Sequence, residues 1–218
     1  MNNPAMSPVG DGGIAVRFGD GISEALSEAV VSHARAISSA EIIGVTDVVP
    51  SYATLTVFYD GTRIEYEDIR KRLETVLASR DPDQSGGEPA AAKLHRIPVV
   101  YDGEDLDEVA RRTGLARDEV ISIHSETEYR VFVTGFVPGF AYLGILDERL
   151  SLPRRESPRK RVPVGSVAIA ERQTGVYPAA TPGGWHLIGT TVERMFDADR
   201  NPPSLLQVGD RIRFEPLA

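Results

Sequence analysis

The stretch Ser166-Val167-Ala168-Ile169-Ala170, followed by Gln173-Thr174-Gly175-Val176-Tyr177-Pro178 and by Thr181-Pro182-Gly183-Gly184-Trp185-His186-Leu187-Ile188-Gly189, decides the fold of the C-terminal half. Short apolar runs stand between Gly and Pro punctuation, too short for helices and bounded as strands are. Runs of the same kind occupy 129–134, 166–170, 186–191 and 211–215. Many short strands with turn signals between them predict a closed or nearly closed β-barrel. Upstream, a strand is expected over 95–101, then two short helices. The first carries Leu106, Val109 and Ala110 and ends at Gly114, placed as a C′ glycine; the second carries Val120, Ile121 and His124.

The first 80 residues read differently. Ile14, Val16 and Phe18 alternate along a strand. Ser23 is positioned to cap a helix whose apolar face is Leu26, Ala29, Val30, His33, Ala34 and Ile37. Two β-rich runs, 42–49 and 52–59, are divided by Pro50-Ser51, and a second helix presents Ile69, Leu73, Val76 and Leu77. A β-α-β-β-α order predicts a small α+β sandwich of the ferredoxin-like kind. From Arg80 to Ala92 the chain is rich in Pro, Gly, Asp and Ser without apolar periodicity. The expected organisation is a small α+β domain over 1–80, a linker over 81–93 and a β-barrel domain over 94–218.

Of 218 residues, 41% are hydrophobic and 26% charged, a globular composition. Without a cysteine, disulfides, thiolate metal sites and a cysteine nucleophile are excluded. A polar start with no apolar segment behind a basic one predicts no secretory signal, and no run of about 18 apolar residues predicts a membrane span, so a cytoplasmic protein is expected. The formal net charge of −8 argues against nucleic-acid binding, which needs a basic surface. One basic segment, Arg154-Arg155-Glu156-Ser157-Pro158-Arg159-Lys160-Arg161, breaks that balance. It points to an anionic small ligand or an acidic partner surface, with a solvated loop as the alternative.

Familiar catalytic motifs are missing: no P-loop, no Gly-x-Ser-x-Gly elbow and no His-Glu-x-x-His, and the four histidines are dispersed. That favours a subunit or binding module over a self-sufficient catalyst. Two segments stand out. Gly135-Phe136-Val137-Pro138-Gly139-Phe140-Ala141-Tyr142-Leu143-Gly144 packs three glycines and three aromatics into ten residues, and reads either as a tight barrel corner or as a ligand-facing loop. In the second, over 153–191, Arg159 and Arg161 each offer a bidentate fork to a carboxylate or phosphate. Gln173, Tyr177, Thr181 and His186 add neutral hydrogen-bonding groups, and Gly183-Gly184 could cradle an anion with backbone N–H groups. Trp185 reads as either core or ligand contact, and Glu171 is a weak candidate for a base.

Gly-Phe-x-Pro-Gly-Phe-x-Tyr-Leu-Gly, Pro-Arg-x-x-Val-Pro-x-Gly-Ser-Val-Ala-Ile-Ala, Gln-Thr-Gly-x-Tyr-Pro and Pro-Gly-Gly-Trp-x-x-Ile-Gly-x-Thr, in this order, resemble the allophanate hydrolase subunit 1 family, which includes the B-type component of bacterial 5-oxoprolinase and the kinase inhibitor KipI. The resemblance covers about Gly10 to Pro216. It implies a cyclophilin-like barrel and a larger partner of the allophanate hydrolase subunit 2 type, which is the C-type component of 5-oxoprolinase. With a third lactam-hydrolase subunit, the complex would use ATP with Mg²⁺ to open the 5-oxoproline lactam to glutamate. A KipI-like inhibitor of a sensor kinase and a subunit of urea or allophanate metabolism are the alternatives it leaves. The residues it marks for substrate or nucleotide binding are Arg159, Arg161, Ser166, Gln173, Tyr177, Gly183, Gly184 and Trp185, with no metal ligand among them.

Overall fold

The computed structural model describes residues 4–79 and 92–217. The chain divides into two compact units, Met1–Ala92 and Lys93–Ala218. Of the linker expected over 81–93, residues 81–91 lie outside the described residues.

The first unit runs β1 (Ala5–Pro8), β2 (Gly13–Arg17), α1 (Glu24–Ser39), β3 (Val45–Ser51), β4 (Thr54–Tyr59) and α2 (Tyr66–Ala78). Its antiparallel sheet has the order β1-β2-β4-β3. Side chains alternate across a strand and recur every three or four residues on a helix. One core therefore collects Ile14 and Val16, Leu55, Val57 and Tyr59, Val30, Ala34 and Ile37, and Ile69, Leu73 and Leu77. The Ser23 side chain caps α1, accepting from the Leu26 N–H at 3.2 Å. Two expectations need adjusting. Pro50 and Ser51 belong to β3 instead of dividing two strands, which an edge strand tolerates because its outer N–H groups go unpaired. In addition, the strand beside β2 is β1, from the N-terminal side, where a ferredoxin-like order would bring a strand after α2.

The second unit runs β5 (Leu94–Val99), α3 (Leu106–Thr113), α4 (Arg117–Glu126), β6 (Glu128–Thr134), β7 (Ala141–Gly144), β8 (Arg159–Val162), β9 (Ser166–Ala170), β10 (Gln173–Val176), β11 (Thr181–Gly183), β12 (His186–Thr190) and β13 (Arg211–Pro216). Seven strands form one sheet in the order β12-β9-β10-β7-β6-β13-β5. Its two ends meet where Val100 and Thr190 exchange backbone hydrogen bonds of 2.9 and 2.8 Å, so the sheet is a nearly closed barrel. Strands β8 and β11 form a separate two-stranded ribbon. As expected, α3 ends at Gly114 in the left-handed conformation, φ 73°.

Strand β9 explains its own composition. Val167 and Ile169 join the main core, with Val99, Val131, Leu143, Ile188 and Phe214. Ala168 and Ala170 face the other way, into a second cluster with Phe140, Val162, Tyr177, Trp185 and Leu187. A strand buried on both faces loses polar alternation and reads as a continuous apolar run.

His124 is wholly buried between Tyr101 and Thr174. The Thr174 hydroxyl donates to the Ala168 carbonyl at 3.0 Å, so its oxygen accepts from His124 Nε2–H at 2.8 Å. His124 Nδ1 then accepts from the Tyr101 hydroxyl at 2.7 Å. The ring is neutral, and burial pushes its pKa down to about 3. The unfolded chain protonates this histidine below about pH 6.5, while the folded chain does so only near 3. Stability is thus fully present above about pH 6.5 and falls below it by up to about 1.4 kcal/mol per unit. Urea unfolding at pH 7 and 5 should show a loss about 2 kcal/mol larger for the native chain than for His124→Gln; equal losses would contradict this account.

Candidate functional site

The basic segment lies over the outer cluster of the barrel unit. Arg159, at the start of β8, donates through Nη2 to Asp105 Oδ1 at 2.7 Å, through Nη1 to the Trp185 carbonyl at 3.4 Å, and through Nε to Glu104. Arg155 reaches the same Asp105 oxygen at 2.9 Å and Glu108 at 3.4 Å. The second Asp105 oxygen accepts the Leu187 N–H at 2.7 Å. One buried carboxylate, just before α3, therefore ties together the basic segment and β12. Burial works against the charge on Arg159, but its bonds to Asp105 and Glu104 outweigh that and hold its pKa above the ordinary arginine value.

The two arginines that share one carboxylate are Arg155 and Arg159. Arg161 is exposed and has no hydrogen-bond or ion-pair partner among the described residues. Arg154 faces Glu171 at 3.7 Å, both well exposed, an arrangement of little energetic weight. The acidic groups that most of this segment meets thus lie within the chain itself.

The two unusual segments converge. Phe140 meets Tyr177, Trp185 and Tyr142 edge-on, at 5.3, 5.7 and 4.9 Å between ring centres. Tyr142 also meets Trp185 at 5.8 Å. The Gly-Phe segment is a tight corner, with Phe136 at φ 73° and Gly139 at φ 85°, and it supplies the aromatic wall against which Trp185 packs. Trp185 is only 5% exposed, so its ring is core while its backbone belongs to the arginine cluster. Tyr177 has its pKa raised by burial, opposed by a hydrogen bond from the Trp185 backbone.

The remaining candidates separate by role. A Cβ on Gly183 would run into the Tyr177 hydroxyl, so this glycine packs directly on that phenol. The Gly184 carbonyl accepts the Arg155 N–H at 2.8 Å. Ser166 is buried with its hydroxyl donating to Pro163 at 2.9 Å, a turn contact. Gln173 is buried at the start of β10, opposite Ala170. His186 is buried in β12, its Nε2 donating to the Pro153 carbonyl at 2.9 Å. Arg159, Tyr177, Gly183, Gly184 and Trp185 therefore share one place, Gln173 lies on the same sheet face as Ala170, the face of the Tyr177 and Trp185 cluster, and the Ser166 hydroxyl is engaged in a turn.

Asp105 and Glu104 escape the sequence reading, and Arg155 enters it only as part of the basic segment. Asp102-Gly103-Glu104-Asp105-Leu106-Asp107-Glu108 reads as acidic residues favouring a helix N-terminus, and nothing in its spacing points to distant arginines. Chemically, the cluster offers a guanidinium that can take a carboxylate or phosphate, beside an aromatic wall. It presents no nucleophile with an adjacent base. Among the described residues, no three His, Asp or Glu side chains are grouped to hold a metal ion. The two best-formed depressions, of about 360 and 380 Å³, are open and lie elsewhere: one along α4 by Glu119, Glu126 and Arg149, the other in the first unit by Asp11 and Tyr66.

Residues 4–206 match the carboxyltransferase domain, subdomain C and D, family model. The B-type component of the 5-oxoprolinase of Bacillus subtilis (strain 168) is 40% identical over 219 residues, covering 94% of this chain and 90% of its own length. Its namesake from Escherichia coli O157:H7 is 43% identical over 175 residues, 79% of this chain and 78% of that one. The crystal structure of TTHA0988 superposes with a TM-score of 0.83 at 40% identity, over 94% of this chain. This chain spans only 40% of the TTHA0988 polypeptide.

Proposed function

Because this chain belongs to the carboxyltransferase subdomain C and D family and aligns over most of its length with B-type components of 5-oxoprolinase, we propose that it is a subunit of a heteromeric ATP-dependent 5-oxoprolinase, which opens the 5-oxoproline lactam to glutamate. The observation that carries the reading is the extent of the match, 94% of one chain on 90% of the other. In this reading the barrel is cyclophilin-like, the partners are a larger C-type component and a third lactam-hydrolase subunit, and the complex works in the cytoplasm. No helix among the described residues is long and apolar enough to cross a membrane.

The chain's own part is to bind and orient. Asp105 sets the Arg159 guanidinium, which receives an anionic group of the substrate. In this reading ATP with Mg²⁺ is bound through the complex. The purified chain, given 5-oxoproline, ATP and Mg²⁺, should release no glutamate. Turnover by the chain alone would contradict a subunit role.

A further inference from the structure

Arg159 has two carboxylate partners of opposite character. The Asp105 side chain is 4% exposed and accepts three donors, whereas the Glu104 side chain is 61% exposed and, among the described residues, meets only Arg159. The Arg159 side chain as a whole is 17% exposed, so it opens to solvent on a limited side. An ion pair with an exposed partner is weak and exchangeable, while a buried carboxylate with every bond made is fixed. The backbone around Glu104 is pinned on both sides. A Cβ on Gly103 would collide with the backbone of Leu187 and Ile188, and the Asp105 N–H donates to the Leu187 carbonyl at 2.9 Å. Only the Glu104 side chain is left to move.

From this we propose that Glu104 is a stand-in for the ligand's anionic group: its carboxylate covers Nε of Arg159 in the free chain and is displaced when a carboxylate or phosphate binds. The proposal rests on the anion-binding reading of Arg159. Displacement leaves Arg159 held by Asp105 and the Trp185 carbonyl, with its Nε–H turned to the incoming oxygen. Glu104 thereby sets the affinity, and it rejects uncharged analogues, which gain too little from the arginine to repay breaking the internal pair. No covalent step is involved.

The test uses the full chain and the fluorescence of Trp185, its sole tryptophan, whose carbonyl contacts Arg159. Separate titrations with 5-oxoproline and with inorganic phosphate distinguish the two sources of charge. Glu104→Gln should lower the half-saturating concentration of the preferred anion about two- to five-fold, the range expected when a competing exposed carboxylate is neutralised. Arg159→Ala should abolish the response. Glu67→Gln, the same charge change in the first unit, should leave affinity unaltered. If Glu104→Gln binds no more tightly than the native chain while Arg159→Ala still abolishes binding, the anion site stands and the stand-in role is overturned. If Glu67→Gln gives the same gain, net charge explains it and the stand-in role is again overturned. If neither anion binds to any variant, the anion-binding reading fails, and this inference with it.

Discussion

Asp105→Ala should destabilise the barrel unit by about 3 kcal/mol or more, the largest stability effect expected of any single polar residue in this chain. The Asp105 side chain is nearly inaccessible, and it answers two guanidinium groups and a backbone N–H at 2.7–2.9 Å. Its removal leaves Arg155 and Arg159, 29% and 17% exposed, facing each other without their shared counter-charge, and strands the Leu187 N–H. Breaking a buried pair by removing one partner costs far more than the intact pair contributes, because the other charge stays desolvated. Asp105→Asn keeps an acceptor for Leu187 and loses the charge, so it should fall between the native chain and the alanine variant. Chemical denaturation followed by Trp185 fluorescence reports the barrel unit alone, since the first unit has no tryptophan. A loss under about 1 kcal/mol for the alanine variant would show that the cluster does not hold the basic segment in place.

Within an assembled complex, Arg159→Ala should lower kcat/KM for 5-oxoproline by about 30- to 100-fold, whereas Arg161→Ala should change it by less than about five-fold. The contrast follows from placement. Arg159 is oriented by Asp105 and the Trp185 carbonyl, so its donors are fixed before a ligand arrives. Arg161 is exposed and has no partner among the described residues, so any bond it makes must first order a long side chain. Asp105 keeps Arg155 and Leu187 in the Arg159 variant, which limits damage to the fold. Arg159→Lys provides a second check. It retains the positive charge facing Asp105 but loses the planar fork, and it should recover stability more fully than activity. Equal effects of the two alanine changes would remove Arg159 from its privileged position.

The barrel was open to sequence reasoning because its strands obey short-range rules. Ser166–Ala170 and His186–Thr190 are apolar between turn residues, and Gly114 stops α3 as a left-handed cap. The ribbon of β8 and β11 stays hidden, since Pro158, Pro163 and Pro182 argue locally against strands. A two-stranded ribbon, like the edge strand that holds Pro50, can spare the missing N–H groups. The same distinction governs the site. Trp185, Tyr177 and the glycines could be singled out because their composition is unusual. Asp105 could not, since an acid before a helix is ordinary and its arginines lie 50 and 54 residues away. Long-range electrostatic pairing leaves no periodicity in a sequence. The Gly-Phe segment, readable as corner or as ligand wall, is a corner whose Phe140 and Tyr142 rings pack against Trp185.

The measurement that tests the central claim most directly is reconstitution. The chain, a larger C-type component and the third lactam-hydrolase subunit would be combined with ATP, Mg²⁺ and 5-oxoproline, and glutamate release followed with each protein omitted in turn. Glutamate should appear with the full set and vanish when this chain is left out. Undiminished release in its absence, from a preparation shown to lack it, would contradict its role as a working subunit of the enzyme.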